Sequence, residues 1–296
     1  MSIEEGLDKW AAWVLHRRDG DDPEQREKAL EHLVPIRDRI LDNARIRHGE
    51  TLLDVGTGDG LIAFGAVERV GPIGHVIASD ISADLVARTR EIAEELGVAE
   101  QMSFVQASAE DLAPIGDGTV DVVTTRSVLI YVDDKARDLR EFFRVLRPGG
   151  RASLFEPINS YFPDTPDEYW GFDARPVRDL VERIWRYEGW VESEYKDDPM
   201  MNFNTKDLLR HAEAAGFEEI RIKLVVDVEP GSWVVDWERL LNTSPNPNAH
   251  TAGEAIRGVL SPEEAERFER HIRPLADAGR GVKRSASAYL VAVKGD

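Results

Sequence analysis

Leu53-Asp54-Val55-Gly56-Thr57-Gly58-Asp59-Gly60 is the stretch that decides the fold. An apolar run over 51–55 stops at three alternating glycines, and an amphipathic stretch begins directly after them. Glycine lets a chain turn sharply out of a strand, and it lets a ligand lie against main-chain atoms that a Cβ would cover. The spacing also discriminates among ligands. A dinucleotide fingerprint reads G-x-G-x-x-G, and Leu61 stands where its third glycine would be. A phosphate-binding P-loop requires a following Gly-Lys-Ser/Thr, which this stretch lacks.

Outward from the loop, residues 51–156 alternate short apolar runs with amphipathic stretches, the pattern of parallel strands joined by helices. Strands are expected over 51–55, 75–79, 102–106, 120–124 and 151–155, with helices near 60–70, 83–95 and 134–146. Ser82 is placed to cap the second of these helices and Gly97 to stop it, and Pro148-Gly149-Gly150 ends the third. Asp80 closes the second strand, where a carboxylate can accept hydrogen bonds from both ribose hydroxyls of an adenosine, in NAD and S-adenosylmethionine alike. Ala107-Ser108-Ala109-Glu110-Asp111 follows the third strand and offers a hydroxyl, a backbone N–H and carboxylates to an adenine edge. A tight turn and a helix cap would explain each motif singly. All three fall in order at the carboxyl ends of successive strands, where open α/β sheets bind ligands.

Before this core, Leu7, Trp10, Ala11, Val14 and Leu15 are spaced for a helix over 4–18. A second helix starts at Asp22, with Pro23 in its first position and Gln25 set to close a capping box, and runs towards Ile40 with Pro35 expected to kink or interrupt it. After the core, residues 157–203 are rich in Pro, Asp and aromatics, with one helix near 175–187. A helix over 205–215 and a strand over 219–228 resume the alternation. A second insertion then holds the capping box Ser261-Pro262-Glu263-Glu264, and a last strand covers 286–293. The expected organisation is an N-terminal helical lid (1–48), a cofactor-binding core (49–156), a cap insertion (157–203), the core continued (204–228), a second insertion (229–283) and the last core strand (284–296).

Composition narrows the functional classes. The 296 residues are 42% hydrophobic and 31% charged, enough for a sizeable core. Asp and Glu number 56 against 37 Lys and Arg, for a net charge of -19, which repels a phosphate backbone and sets nucleic acid aside as a partner. The cluster Arg45, Arg47, His48 ends at Glu50 and is too short to reverse that. Without cysteine there is no disulfide, thiolate nucleophile or cysteine-ligated zinc. The seven histidines show no metal-ligand spacing, so no metal is expected. No apolar run approaches the roughly 18 residues of a membrane span, and Met1 to Asp8 lacks a signal-peptide layout. A cytoplasmic protein without a membrane partner is expected, and a homo-oligomer is compatible with these features.

Residues 51–156 resemble the core of class I S-adenosylmethionine-dependent methyltransferases, close to the ubiquinone/menaquinone C-methyltransferase-like group. The marks are the Asp54 to Gly60 loop, Asp80, Ala109-Glu110, Asp121-Val122-Val123 and Arg144-Val145-Leu146-Arg147-Pro148-Gly149-Gly150. The resemblance implies an α/β fold, a Rossmann-like seven-stranded sheet of order 3-2-1-4-5-7-6 with its last strand antiparallel, accompanied by N-terminal helices and two cap insertions. It implies S-adenosyl-L-methionine as cofactor, held by Asp54, Gly56, Thr57, Gly58, Gly60, Asp80, Ile81, Ser108, Ala109, Glu110 and Arg126. Gly56 and Gly58 would face its methionine part, Asp80 the ribose, and Ser108, Ala109 and Glu110 the adenine. Many relatives carry Asp where this chain has Ser108, so Glu110 would share or take over the N6 contact. Arg126 either pairs with the cofactor carboxylate or serves a structural role.

Methyl transfer from a sulfonium is an in-line displacement in which positioning does much of the work, and a base is needed only if the acceptor must shed a proton. His250, Glu156 and Tyr161 are the candidate bases, each with a structural role as its alternative. The acceptor is expected to be a small molecule above the carboxyl ends of the fourth and fifth strands. The segments outside the core hold Trp10, Trp13, Tyr161, Tyr169, Trp170, Trp185, Trp190, Trp233 and Trp237. Of these, Trp13, Tyr161, Trp170, Trp233 and Trp237 are the candidate substrate contacts, and core packing is the alternative for each. Aromatic walls suit a planar acceptor, an aromatic or indole-like natural product. A non-catalytic S-adenosylmethionine-binding protein, an aminopropyl transferase on the same fold and an NAD-dependent oxidoreductase are the competing readings, the last disfavoured by the glycine spacing.

Overall fold

The computed structural model describes residues 6–163, 165–190, 197–230 and 236–296. Its strands are β1 Thr51–Val55, β2 His75–Asp80, β3 Met102–Gln106, β4 Val120–Arg126, β5 Leu146–Pro157, β6 Glu168–Tyr169, β7 Phe172–Asp173, β8 Glu219–Pro230 and β9 Val282–Val293. Its helices are α1 Lys9–Ala12, α2 Pro23–Ala44, α3 Leu61–Val70, α4 Ala83–Glu95, α5 Lys135–Val145, α6 Arg178–Tyr187, α7 Thr205–Ala215, α8 Trp237–Asn242, α9 Ala252–Val259 and α10 Pro262–Asp277. The chain divides into two compact units. A sheet unit comprises 27–158, 203–224 and 287–296, and a helical unit comprises 1–26, 159–202 and 225–286. Most of α2 therefore belongs with the sheet.

The large sheet has seven strands in the order β3-β2-β1-β4-β5-β9-β8. With the small β6-β7 pair set aside, this is the order 3-2-1-4-5-7-6 anticipated from the sequence. β1, β2, β3, β4 and β5 run parallel, with Leu53 beside Ile77 on one side and Val123 on the other. β9 runs antiparallel to β5, with Leu290 beside Leu154. The central strands read as continuous apolar runs because both faces of a parallel sheet are covered. Accordingly Leu52, Leu53, Val122, Val123 and Ala152 are fully buried.

Local chemistry accounts for the element ends. The Ser82 hydroxyl accepts the Leu85 N–H at the start of α4, and the Asp134 carboxylate accepts the Arg137 N–H at the start of α5. α5 ends at Val145 and β5 begins at Leu146, five residues before the Arg151 expected, so Pro148-Gly149-Gly150 lies inside the strand. Val120 pairs with Leu146 and Val122 with Arg151, so the residues between Leu146 and Arg151 loop out of the ladder.

Two helical elements differ from the reading of the sequence. Of the two outcomes expected at Pro35, a kink or an interruption, there is no interruption: α2 continues to Ala44. Pro35 and Glu31 are both exposed, so water can solvate the carbonyl that loses its amide partner at a proline. The first helix is shorter than expected: after the four residues of α1 the chain widens into a π turn over Trp13–Arg17.

In the helical unit, β6 and β7 form a two-stranded hairpin about Trp170 and Gly171. Phe172, Leu180, Ile184, Trp237, Phe268 and Ile272 are central to its core. The helices α8 and α9 lie in the second insertion, where the sequence reading gives only the helix after Ser261, and both are short, six and eight residues. Their caps are nonetheless in the sequence: Asp236 caps α8, and Thr251 with Glu254 forms a reciprocal box at α9. Among the described residues no helix is long and apolar enough to cross a membrane, and no cluster of His, Asp and Glu could hold a metal ion.

Candidate functional site

The glycine loop leaves β1 at its carboxyl end and is tied to β2. The Thr57 N–H donates to the Ser79 carbonyl at 2.9 Å, and the Gly58 N–H donates to Asp80 Oδ2 at 2.9 Å. The other Asp80 oxygen accepts the Ser82 N–H at 2.9 Å, so one buried carboxylate spans the loop and the start of α4. The Thr89 hydroxyl donates to the Gly58 carbonyl from α4.

The glycines differ in what they face. Gly56 has φ +67°, and a Cβ there would sit 2.2 Å from Val128 Cγ2, so packing excludes a side chain. Gly58 has φ +59°, and a Cβ would meet nothing within 4 Å. Its missing side chain keeps space open above the backbone, a cradle of the kind a ligand fills.

Asp54 is sealed at the foot of the loop, 1% exposed, with Oδ1 accepting the Thr124 hydroxyl at 2.9 Å. Burial pushes its carboxyl up to about 7, against the Thr124 and Thr57 hydroxyls, which hold it down. Asp54 Oδ2 and Thr57 Oγ1 are buried without a partner in hydrogen-bond geometry. The Thr57 hydroxyl acts on the Asp54 carboxyl, so these two buried atoms face each other, and the open space over Gly58 is the feature that fits a ligand. Arg126, at the end of β4, lies close enough to lower the Asp54 carboxyl.

Ile81 follows Asp80 and is half exposed. The backbone beyond it is fixed by the Ala107 N–H, which donates to the Asp80 carbonyl, and by the Gln106 amide, which donates to the Ile81 carbonyl. Ser108 pairs with Asp111 in an isolated bridge, and its hydroxyl accepts the Glu110 N–H at 3.3 Å. Ala109 is buried, and Glu110 Oε1 accepts the Asp134 N–H at 3.4 Å. The sheet unit thus brings Gly56, Gly58, Gly60, Asp80, Ile81 and the 108–110 loop to the carboxyl ends of neighbouring strands.

The candidate bases fare differently. Glu156 is 1% exposed and accepts three backbone N–H groups, from Val128 (3.0 Å), Leu129 (3.1 Å) and Ile130 (3.1 Å). It holds the turn after β4, and burial still pushes its carboxyl up to about 7. These three bonds give Glu156 the structural role named as the alternative to a base. Tyr161 is half exposed and stacks edge-on against Phe162 at 5.0 Å. His250 has its ring Nδ1 3.0 Å from Glu188 Oε1, its backbone N–H donating to Glu188 Oε2 at 3.2 Å, and its ring over Tyr187. A carboxylate on Nδ1 orients the ring.

A cavity of about 510 Å³ opens in the helical unit. Its aromatic wall is Tyr161, Phe162, Tyr169, Trp170, Trp185 and Trp190, and the ion pair of Glu168 with Arg284 (2.6 Å) lies beside it. Of the candidate substrate contacts, Tyr161 and Trp170 line this cavity. Trp237 does not: it is 3% exposed in the core of the unit. Trp13 does not either, its indole N–H donating to the Ser244 carbonyl at 3.0 Å. Trp233 lies outside the described residues. Trp185 and Trp190 line the cavity although the sequence singled them out only as members of an aromatic-rich segment.

A seven-stranded sheet of this order, with an open glycine loop and an acidic residue closing β2, defines a Rossmann-like methyltransferase domain. A methyltransferase-domain family model matches residues 46–165. The ubiquinone/menaquinone biosynthesis C-methyltransferase UbiE of Klebsiella pneumoniae is 36% identical over 184 residues, covering 61% of this chain and 71% of that protein. The Enterobacter protein of the same name is 37% identical over 116 residues, 39% of this chain and 46% of its own length, so the chain spans about half of that relative. Among solved structures, a Bacillus halodurans protein assigned as a methyltransferase superposes with a TM-score of 0.54 at 20% identity, over 88% of this chain and 99% of that one. The YcgJ protein of Bacillus subtilis gives 0.52 at 17%, over 88% and 98%. The chain belongs to the class I S-adenosylmethionine-dependent methyltransferases, enzymes whose cofactor is S-adenosylmethionine.

Proposed function

We propose that this chain methylates a small planar aromatic molecule, with indole-like rings of the natural-product type as the first acceptors to try. The glycine loop tied to Asp80 is the observation that carries the methyltransferase reading. Asp80 would hold the ribose hydroxyls, the 108–110 loop the adenine edge, and Gly56 and Gly58 the methionine part. Arg126 would pair with the cofactor carboxylate. When bound, S-adenosylmethionine supplies an electrophilic methyl group on a sulfonium. The chain's own part is to bind, orient and exclude water. The aromatic cavity supports a flat acceptor, because six rings offer stacking faces and its volume matches a drug-sized ligand. For an acceptor that must lose a proton, His250 oriented by Glu188 has the arrangement of a base.

Calorimetry with S-adenosylmethionine, S-adenosylhomocysteine and NAD tests the first part, and tight NAD binding with no response to the others would overturn it. Labelled methyl transfer into a panel of indoles, phenols and aliphatic amines tests the second. Trp190→Ala is expected to raise KM for the aromatic acceptor about tenfold, the scale of one lost stacking contact, with cofactor affinity unchanged. Turnover of aliphatic acceptors alone would refute the aromatic assignment.

A further inference from the structure

β8 is the last strand in the sheet order, and among the described residues no strand pairs with its outer edge. Such an edge presents backbone N–H and C=O groups ready for another chain. Its side chains alternate strictly. Ile220, Ile222, Leu224, Val226 and Val228 occupy one set of positions; Arg221, Lys223, Val225, Asp227 and Glu229 occupy the other. Leu224, Val226 and Val228 are 38%, 38% and 53% exposed, a run of aliphatic side chains on one face with water against it.

We propose that β8 pairs antiparallel with β8 of a second copy of this chain, with Val225 at the twofold axis. In that register Lys223 stands opposite Asp227 and Arg221 opposite Glu229, each pair occurring twice because the contact is isologous. On the other face Leu224 meets Val226, and Ile222 meets Val228. Directly opposed residues of an antiparallel pair interact through opposite charge or apolar contact, and like charges there destabilise.

The register is selective. Centring on residue 223 would set Lys223 against its own copy, and centring on 227 would do the same to Asp227. Centring on 224 or 226 leaves one cation opposite Val225 or beyond the strand. Only the axis at Val225 places both cations against both anions.

Charged side chains on an edge can also serve to keep strands apart. A protective edge, however, would not carry three exposed aliphatic residues in succession on one face. Glu229 already has Lys283 at 3.8 Å, so its pair with Arg221 of the other copy would extend an existing ion pair. Pro230, which has no N–H to give, falls opposite Ile220 at the end of the ladder.

Sedimentation velocity and light scattering on the full chain test this. The wild type is expected to reach twice the 33.2 kDa chain mass in the micromolar range. Lys223→Glu and Asp227→Lys each set like charges opposite one another, and each is expected to weaken the dimer about tenfold or more. An equimolar mixture of the two single variants restores both pairs, as does the double variant, so both should dimerise like the wild type. A monomeric wild type, single variants that dimerise unchanged, or a mixture no stronger than its components would overturn the proposal. Because the mixture regains the dimer only from folded chains, a folding defect cannot imitate the expected result.

Discussion

Replacing Asp80 by alanine should separate two consequences of one carboxylate. In the free protein it accepts the Gly58 and Ser82 N–H groups at 2.9 Å each, from a position 6% exposed. Hydrogen bonds to a charged acceptor contribute about 1.5–3 kcal/mol apiece, so losing both should destabilise the fold by roughly 3–6 kcal/mol. If the same carboxylate also accepts both ribose hydroxyls, cofactor affinity should fall by at least a further ~3 kcal/mol, a factor of about 150. Urea unfolding of the free protein reads the first number, and calorimetric titration with S-adenosylhomocysteine at low temperature, where the variant is folded, reads the second. Asp80→Asn keeps the shape and one acceptor and should fall between wild type and alanine in both assays. Unchanged cofactor affinity in a folded Asp80→Ala protein would refute the ribose assignment, and unchanged stability would refute the role of this carboxylate in tying the loop.

Two further outcomes follow from the same unit. Gly58→Ala should cost only about 1–2 kcal/mol of stability, the strain of a left-handed residue, yet weaken cofactor binding strongly, since its Cβ meets no protein atom. Gly56→Ala should be the more destabilising of the pair because of Val128, and equal thermal shifts for the two would contradict the packing described. Asp138 is fully buried with neither oxygen paired, and burial together with Glu110, Glu156 and Asp134 pushes its carboxyl up to about 8 against the pull of Lys135. A group raised on folding stabilises most below its unfolded value, near 3.8, and loses that contribution as pH climbs to about 8. Between these limits it should remove about 1.4 kcal/mol of stability per pH unit, and Asp138→Asn should flatten that slope in urea unfolding from pH 5 to 9. Parallel pH profiles for the two proteins would show that Asp138 does not titrate in that range.

Much of the sheet could be read from the chain because its determinants are local. The short apolar-rich runs at 51–55, 75–79, 102–106 and 120–124 announce strands whatever surrounds them, and all four appear with at most two residues added. The glycine spacing and Asp80 at a strand end lie within thirty residues of sequence, so the loop and the carboxylate tied to it could be picked out without coordinates. The linear order of apolar and polar residues was less informative for Pro35, whose effect depends on whether the orphaned carbonyl reaches water, and for α8 and α9, too short to establish a period.

What the sequence by itself determined, then, was the alternating core, its glycine loop and the acidic residue beside it. Tertiary structure alone decided the fate of individual side chains. Trp170 and Trp237 are equally aromatic and both lie in insertions, yet one lines the cavity and the other is packed in a core. Glu156 could have been a base on sequence grounds, but three backbone N–H groups from a turn 26 to 28 residues away enclose it. Burial and hydrogen bonding of a single residue depend on groups distant in sequence, and no local pattern encodes which of them will arrive.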